Sequence, residues 1–336
     1  MQSNDHEAAL AGLRAELDAI RHHGKALDGH EQWLSDHSRI LTEYGQALDR
    51  MDKWVARLER AQAAYHDDHE HGEHRELRRR LDELELAQSA RVFMDWIGHA
   101  RLRTSPRISV IMPTYNRVAF LPAAIASVAA QTYANWELVV VDDACTDPTP
   151  EFLATVDDPR VRPVRVEHGG VCAARNAGLA AATGEIIAYL DDDNTMHPSW
   201  LKSVVWAFEQ RPDVDVVYGG IVLDDAERVI RRGSGGLPRM FLRPYDREVL
   251  LRENLADISA IAHRAGLPAA RFDESLVEMG DWDLLCGLTA ERDPLMLPAI
   301  ACFYATDAPN RLSGGATYDA DYETVRRKHA PEGAQP

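Results

Sequence analysis

Apolar positions recur along this chain in two different periods, and the change of period divides it. Up to about residue 65 the period is seven: Leu13, Ile20, Leu27, Leu34, Leu41, Leu48 and Val55 form one seam. Tyr44, Met51, Leu58 and Tyr65 form a second seam three residues on, and Leu10 and Leu17 take that part near the start. Two apolar seams at 3–4 spacing over several heptads predict an α-helical coiled coil or a long helical hairpin. Gly24 and Gly29 weaken the register, so a break or turn is expected between residues 22 and 31. A later helix carries Leu77, Leu81 and Leu84 on one face, then Val92, Phe93, Trp96 and Ile97, and ends near Gly98. Pro106 opens a segment of different composition, which places a domain boundary at about residues 100–106. The division expected is a helical arm over residues 1–103 and an α/β domain over 104–336.

From Arg107 the pattern alternates between short apolar runs and helical stretches. Strands are predicted at Ile108–Met112, Trp136–Val141 and Val161–Val166, and again at Val214–Leu223. Helices are predicted at Leu121–Gln131, Pro150–Val156, Ala173–Ala182 and Trp200–Gln210. Strands alternating with helices predict a Rossmann-like, mostly parallel sheet with right-handed crossovers and helices on both faces.

One stretch organises the rest: Glu185-Ile-Ile-Ala-Tyr-Leu-Asp191-Asp192-Asp193-Asn194. A short apolar run after Thr183-Gly184 reads as a buried strand, and it ends in three consecutive carboxylates. Open α/β sheets bind ligands at the carboxyl ends of their strands. Like charges gathered there repel, and a divalent cation carrying phosphate oxygens would supply the reason for them. A solvated acidic loop is the plainer alternative. Against it, Thr114-Tyr115-Asn116 and Asp142-Asp143 end two further strands, so three polar strand ends converge on one crevice. No Gly-x-Gly-x-x-Gly follows the first strand and no Gly-x-x-x-x-Gly-Lys occurs anywhere, so a nucleotide would not be held by a glycine fingerprint or a Walker loop.

Composition narrows the field. With 336 residues and 45% apolar content the chain can build a sizeable core. Its net charge of −17 argues against wrapping a nucleic acid and against docking on anionic lipid. The four cysteines, Cys145, Cys172, Cys286 and Cys302, are scattered without a Cys-x-x-Cys pair, which fits a reducing compartment. No apolar run reaches the roughly 18 residues of a membrane span, and no signal pattern opens the chain. The expectation is a soluble, cytoplasmic protein.

Six motifs then fall in order: Ser109-Val-Ile-Met-Pro-Thr-Tyr-Asn-Arg117, Gln131-Thr132, Val140-Val-Asp-Asp143, Ala174-Arg-Asn-Ala-Gly178, Leu190-Asp-Asp-Asp193 and Gly280-Asp-Trp-Asp-Leu284. Their order and spacing resemble the family-2, inverting glycosyltransferases of the GT-A fold, over residues 107–315. The resemblance implies a nucleotide-sugar donor, usually a UDP-sugar, a divalent metal (Mn²⁺ or Mg²⁺), and one-step displacement with inversion. It implies a nucleotide-sugar-binding half over residues 104–223 and an acceptor half over 224–336. Pro113 and Tyr115, with Thr114 and Asn116 between and beside them, would line the base pocket. Asp143 would bond the uracil ring, and Arg175 would contact the nucleotide. Asp191 and Asp193 are the implied metal pair, with Asp192 on the ribose side. Asp281 falls where the family keeps its general base. The family's usual Glu-Asp pair is Gly280-Asp281 here, which removes a neighbour of the base that Glu278 could partly replace.

The chemistry asks for these groups. The leaving diphosphate gains charge as its bond breaks, and a metal ion stabilises that charge in the transition state. A carboxylate on the opposite face must take the acceptor's proton, an effect worth about 10²–10⁴ in rate. Trp282 beside Asp281 offers an apolar wall or a sugar-stacking face; a helix cap and a core residue are the plainer reading of that pair.

Further stretches carry weaker expectations. Asn310-Arg311-Leu-Ser-Gly-Gly315 reads as a loop whose Arg311 can meet the diphosphate, or as an ordinary surface loop. Arg231-Arg-Gly-Ser-Gly-Gly236 resembles an acceptor-side loop or a solvated connection. Four histidines within His66–His74 read as a hydrated linker or a zinc tract. The helical arm is expected to make a homo-oligomer or to present the acceptor. A sugar-phosphate nucleotidyltransferase would share the architecture, but it wants glycines and basic residues after the first strand, where Pro113-Thr-Tyr-Asn116 stands. The third reading is a non-catalytic scaffold whose arm carries the function. Neither the sugar nor the acceptor (a glycan, a lipid-linked sugar, a metabolite or a peptide side chain) is legible.

Overall fold

The computed structural model describes residues 72–224, 239–305 and 317–330. The heptad seams, the side chains of the His66–His74 tract, the Arg231–Gly236 loop and the loop bearing Arg311 lie outside the described residues. The chain falls into two compact units, residues 1–76 and 77–336, and apart from the first turn of α1 the second holds everything that follows. Among the described residues no helix is long and apolar enough to cross a membrane.

Helix α1 (Gly72–His99) leads into β1 (Ile108–Thr114), α2 (Leu121–Ala129), β2 (Trp136–Asp143), α3 (Thr149–Leu153) and β3 (Val161–Val166). Then come α4 (Val171–Ala181), β4 (Ile186–Tyr189), β5 (Thr195–Met196), α5 (Trp200–Gln210), β6 (Val216–Asp224) and β7 (Arg239–Phe241). Helix α6 (Arg247–Leu250), a 3₁₀ turn (Ile258–Ala260), β8 (Ile261–Arg264), α7 (Gly280–Leu288), β9 (Leu295–Ala305) and α8 (Tyr318–His329) complete it.

Every residue of β1 and β2 is buried, as expected of strands covered on both faces. Side chains alternate between the faces. Ile108, Val110 and Met112 join the cluster built on Leu121, Ile125, Trp200 and Val204, while Ile111 joins the one built on Tyr189, Phe272 and Trp282. Near the end of α1, Met94 and Ile97 enter the first cluster, and Phe93 meets Trp206 edge-on at 5.4 Å. The segment after α1 is pinned by Glu209 Oε1, which accepts the N–H of Arg103 at 2.7 Å and the hydroxyl of Thr104 at 2.7 Å.

The described strands form one nine-stranded sheet in the order β3-β2-β1-β4-β8-β6-β9-β5, with β7 on β6. The β3-β2-β1-β4 half is parallel, as the alternation predicts. The other half corrects the expectation of a mostly parallel sheet. Strand β8 runs antiparallel to both β4 and β6, and β5 runs antiparallel to β9. The sheet is mixed because β8 inserts between β4 and β6, which the alternation had made successive members of one parallel series. Apolar periodicity reports which residues are buried, whereas partner and direction are set by how the intervening chain returns.

The order matters for the site. From β1 the chain winds outward through β2 and β3, then returns to the other side of β1 with β4. That reversal is a topological switch point, and a crevice opens at the carboxyl ends of β1 and β4.

Candidate functional site

Leu190 N–H donates to Ile111 O at 3.0 Å as the last bond between β1 and β4. Beyond it the two strands are tied by side chains. Thr114, the final residue of β1, donates its hydroxyl to Asp192 Oδ2 at 2.7 Å. Asp192 is buried, and burial pushes its carboxyl up to about 7, with Arg117 and the Thr114 hydroxyl opposing and Asp193 and Asp191 adding to the rise. Arg117 lies across two of the acids, its Nη2 2.5 Å from Asp193 Oδ2 and its Nε 3.3 Å from Asp192 Oδ1. Arg175, buried in α4, donates from Nη2 to Asp191 Oδ1 at 2.7 Å. Both arginines keep a buried Nε–H without a hydrogen-bond partner.

Two more carboxylates belong to the same crevice. Asp257 caps the 3₁₀ turn, accepting Ser259 N–H at 2.9 Å. Burial, then the charges of Asp191 and Asp281, hold its carboxyl above the ordinary range. Asp281 stands in the first turn of α7 and accepts Asn254 Nδ2–H at 2.9 Å and Trp282 N–H at 2.8 Å. Burial raises its carboxyl as well, opposed by Arg175 and these two donors and assisted by Asp191. Trp282 is itself buried: its indole N–H donates to Leu250 O at 2.6 Å and its ring stacks on Tyr322 at 5.2 Å.

Gly280 has a physical reason to lack a side chain. A Cβ there would stand 2.5 Å from Cys172 Sγ and 3.6 Å from Phe272 Cδ1. Glu278 lines the crevice too, and Thr317 donates its hydroxyl to Glu278 Oε1 at 2.7 Å.

At the opposite end Asp143 closes β2. It is buried, and its carboxylate accepts Gly169 N–H at 2.8 Å and Gly170 N–H at 3.0 Å, with His168 Nδ1 2.9 Å from Oδ2. Those bonds fix the entry to α4. The His168 ring stacks on Tyr115, centroids 4.2 Å apart and planes 19° from parallel.

These groups line a cavity of about 530 Å³. Pro113, Thr114, Tyr115, Asp143, Arg175, Asp191, Asp192, Asp193 and Asp281 are all on its wall. Asn116 is not among the lining residues. It has left-handed backbone (φ 54°), and its Oδ1 accepts the N–H groups of Thr146 at 2.7 Å and Asp147 at 3.2 Å. It thus clamps the loop after β2. Sequence reasoning missed Arg117, His168 and Asp257, all lining residues. Arg117 ends the first quoted motif, and His168 precedes the Gly169-Gly170 pair that opens a helix, so both had a local signal. Asp257 had only the Asp-x-Ser pattern of a cap.

Charge is the cavity's outstanding property. Eight carboxyl side chains line it against two guanidinium groups. Among the described residues no three His, Cys, Asp or Glu side chains converge closely enough to hold a metal ion alone. A second cavity of about 460 Å³ lies beside α7, where Asp283 and Asp273 are paired with Lys328 at 2.8 and 3.0 Å.

Residues 109–265 match the family described as Glycosyl transferase family 2. The succinoglycan biosynthesis protein ExoO of Rhizobium meliloti (strain 1021) is 32% identical over 201 residues, 55% of this chain and 56% of ExoO. The UDP-Glc:alpha-D-GlcNAc-diphosphoundecaprenol beta-1,3-glucosyltransferase WfgD of Escherichia coli is 43% identical over 88 residues, 26% of this chain and 35% of WfgD. The chain thus spans about half the length of ExoO and a third of WfgD. The crystal structure of S. aureus TarS 1–349 in complex with UDP-GlcNAc superposes with a TM-score of 0.55 at 20% identity, covering 66% of this chain and 65% of that one. That likeness is one of fold, the mixed α/β sheet of GT-A glycosyltransferases.

Proposed function

We propose, from the premise that this chain belongs to glycosyl transferase family 2 through residues 109–265, that it is a metal-dependent, inverting transferase using a UDP-sugar. The acceptor offers a hydroxyl or another nucleophile. The observation that carries the reading is the acidity of the crevice, eight carboxyl groups against two guanidinium groups. A nucleoside diphosphate brings more negative charge into that wall, so it must arrive with a cation. Arg117 and Arg175, held on Asp192, Asp193 and Asp191, supply positive charge for phosphate oxygens, and those carboxylates are hard oxygen ligands for a divalent ion. Asp191 and Asp193 would hold Mn²⁺ or Mg²⁺, hard ions suited to their oxygen ligands. The UDP specificity is supported by WfgD, whose own donor is UDP-Glc.

When bound, the cation stabilises charge developing on the departing diphosphate. The protein's own side chains do the rest. Arg117 and Arg175 present guanidinium donors to the same oxygens, and Thr114 keeps Asp192 in place between them. Asp281, held by Asn254 Nδ2–H and by the Trp282 N–H, takes the acceptor's proton. Its raised affinity for protons suits a base that must accept one and release it. Attack by the acceptor on the sugar face opposite the diphosphate then inverts the anomeric centre.

The deciding assay follows the released product. A nucleotide-sugar screen with Mn²⁺ should release nucleoside diphosphate, and Asp281→Asn should stop it. Release of pyrophosphate from a nucleoside triphosphate would transfer the assignment to a nucleotidyltransferase. We place the protein in the cytoplasm, the transferase in residues 104–336 with the end of α1 packed on its core, and self-association in the helical arm over 1–103. Sedimentation giving a monomer with and without that arm refutes the self-association.

A further inference from the structure

The end of the crevice at Asp143, where the family resemblance puts the base, is built in a way that separates two tasks one carboxylate would otherwise share. Asp143 has two oxygens, and three donors already occupy them: Gly169 N–H, Gly170 N–H and His168 Nδ1. Its side chain is 3% exposed, whereas that of His168 is 54% exposed and lines the cavity. A carboxylate can only accept, so the proton shared with His168 sits on Nδ1. In the neutral ring Nε2 is then a hydrogen-bond acceptor. Tyr115, stacked on the imidazole at 4.2 Å, fixes the plane in which that acceptor is offered.

We infer that His168 reads the base, and that Asp143 is a positioning residue that sets the tautomer with which it reads. The inference rests on the nucleotide-sugar reading above and deepens it. An acceptor on the protein selects a base whose ring nitrogen carries a proton. Uracil and guanine carry one at the hydrogen-bonding edge of the ring, and cytosine and adenine present a bare nitrogen there. Among pyrimidines of equal size the site therefore prefers uracil to cytosine.

Titration calorimetry of the full chain with UDP and with CDP, both with Mn²⁺, tests this. Wild type should bind UDP more tightly by roughly tenfold, the scale of one hydrogen bond gained against one lost. His168→Ala, at an exposed position, should bring the two affinities within about twofold of each other. Asp143→Asn should act through the ring. With its NH₂ in the place of Oδ2 the amide donates to Nδ1 and keeps the Gly169 N–H bond at the cost of the Gly170 one, so the proton moves to Nε2 and the preference shifts toward CDP. In the His168→Ala background the same Asp143→Asn change should leave the ratio alone. A discrimination that survives His168→Ala, or that Asp143→Asn alters equally without the imidazole, overturns the inference and leaves the transferase standing. Equal affinities in wild type do the same. Failure of wild type to bind either nucleotide overturns both.

Discussion

Adding one methyl group at Gly280 should be felt across the crevice. Gly280→Ala puts a Cβ 2.5 Å from Cys172 Sγ, well inside contact distance, and Cys172 is only 2% exposed, so the sulfur has little room to retreat. Overpacking of this kind costs about 1–3 kcal/mol. Replacing glycine by alanine in a helix returns up to about 1 kcal/mol, and less in a first turn. The clash outweighs the propensity, leaving a net loss of roughly 1–2 kcal/mol, or about 2–8 °C in Tm for a unit of this size. Cys172→Ala removes the obstructing atom. The double variant Gly280→Ala/Cys172→Ala should be more stable than the two single losses sum to, with a coupling of about 1 kcal/mol or more in urea denaturation. If Gly280→Ala matches wild type, or if the two losses simply add, the sulfur does not occupy that space. The reason offered for the missing glutamate beside Asp281 then fails.

Other consequences concern titration. Asp281 must be unprotonated to accept a proton, and its carboxyl is held above the ordinary range. The rate should therefore fall with decreasing pH through a midpoint above that of a free aspartate. Asp281→Asn should lower turnover about 10²–10⁴-fold; a pH profile without an acid limb would remove Asp281 from the role. Glu137, buried in β2, is pushed up by burial but pulled down to about 2 by hydrogen bonds from Ser109, Thr183 and Arg162. Its folded value lies below its unfolded one, so its contribution is full above about 4.5 and is lost as pH falls toward about 2. Glu137→Gln should cost about 1–3 kcal/mol near neutrality and less in acid, read from denaturation curves across that window. An equal cost at every pH would contradict it.

The parallel half of the fold was legible because its signals are local. The runs at Ile108, Trp136 and Val161 are apolar or β-branched, are bounded by polar residues, and lie where strands stand. Helix α5 begins and ends at Trp200 and Gln210 as expected. The mixed half was legible only at β6. Ile261–Arg264 contains His263, whose ring is satisfied by Tyr189 Oη at 2.8 Å, a partner 74 residues away that no window of sequence contains. The acids that follow β4 could be read because carboxylates concentrated at a strand end have no purely structural motive, whereas Asp257 could not. The ion pairs that hold them could not, since Arg117 and Arg175 approach from separate elements. Asn116 illustrates the converse. It sits in the motif, yet its amide serves the backbone of residues 146–147.

The measurement closest to the central claim is calorimetric titration of UDP into the full chain with Mn²⁺ and, separately, with the cation chelated. For wild type the account predicts binding that depends on the cation. For Asp193→Ala, with thermal stability retained, it predicts loss of that cation-dependent binding. UDP affinity that is unchanged by chelation, or undiminished in Asp193→Ala, would contradict it.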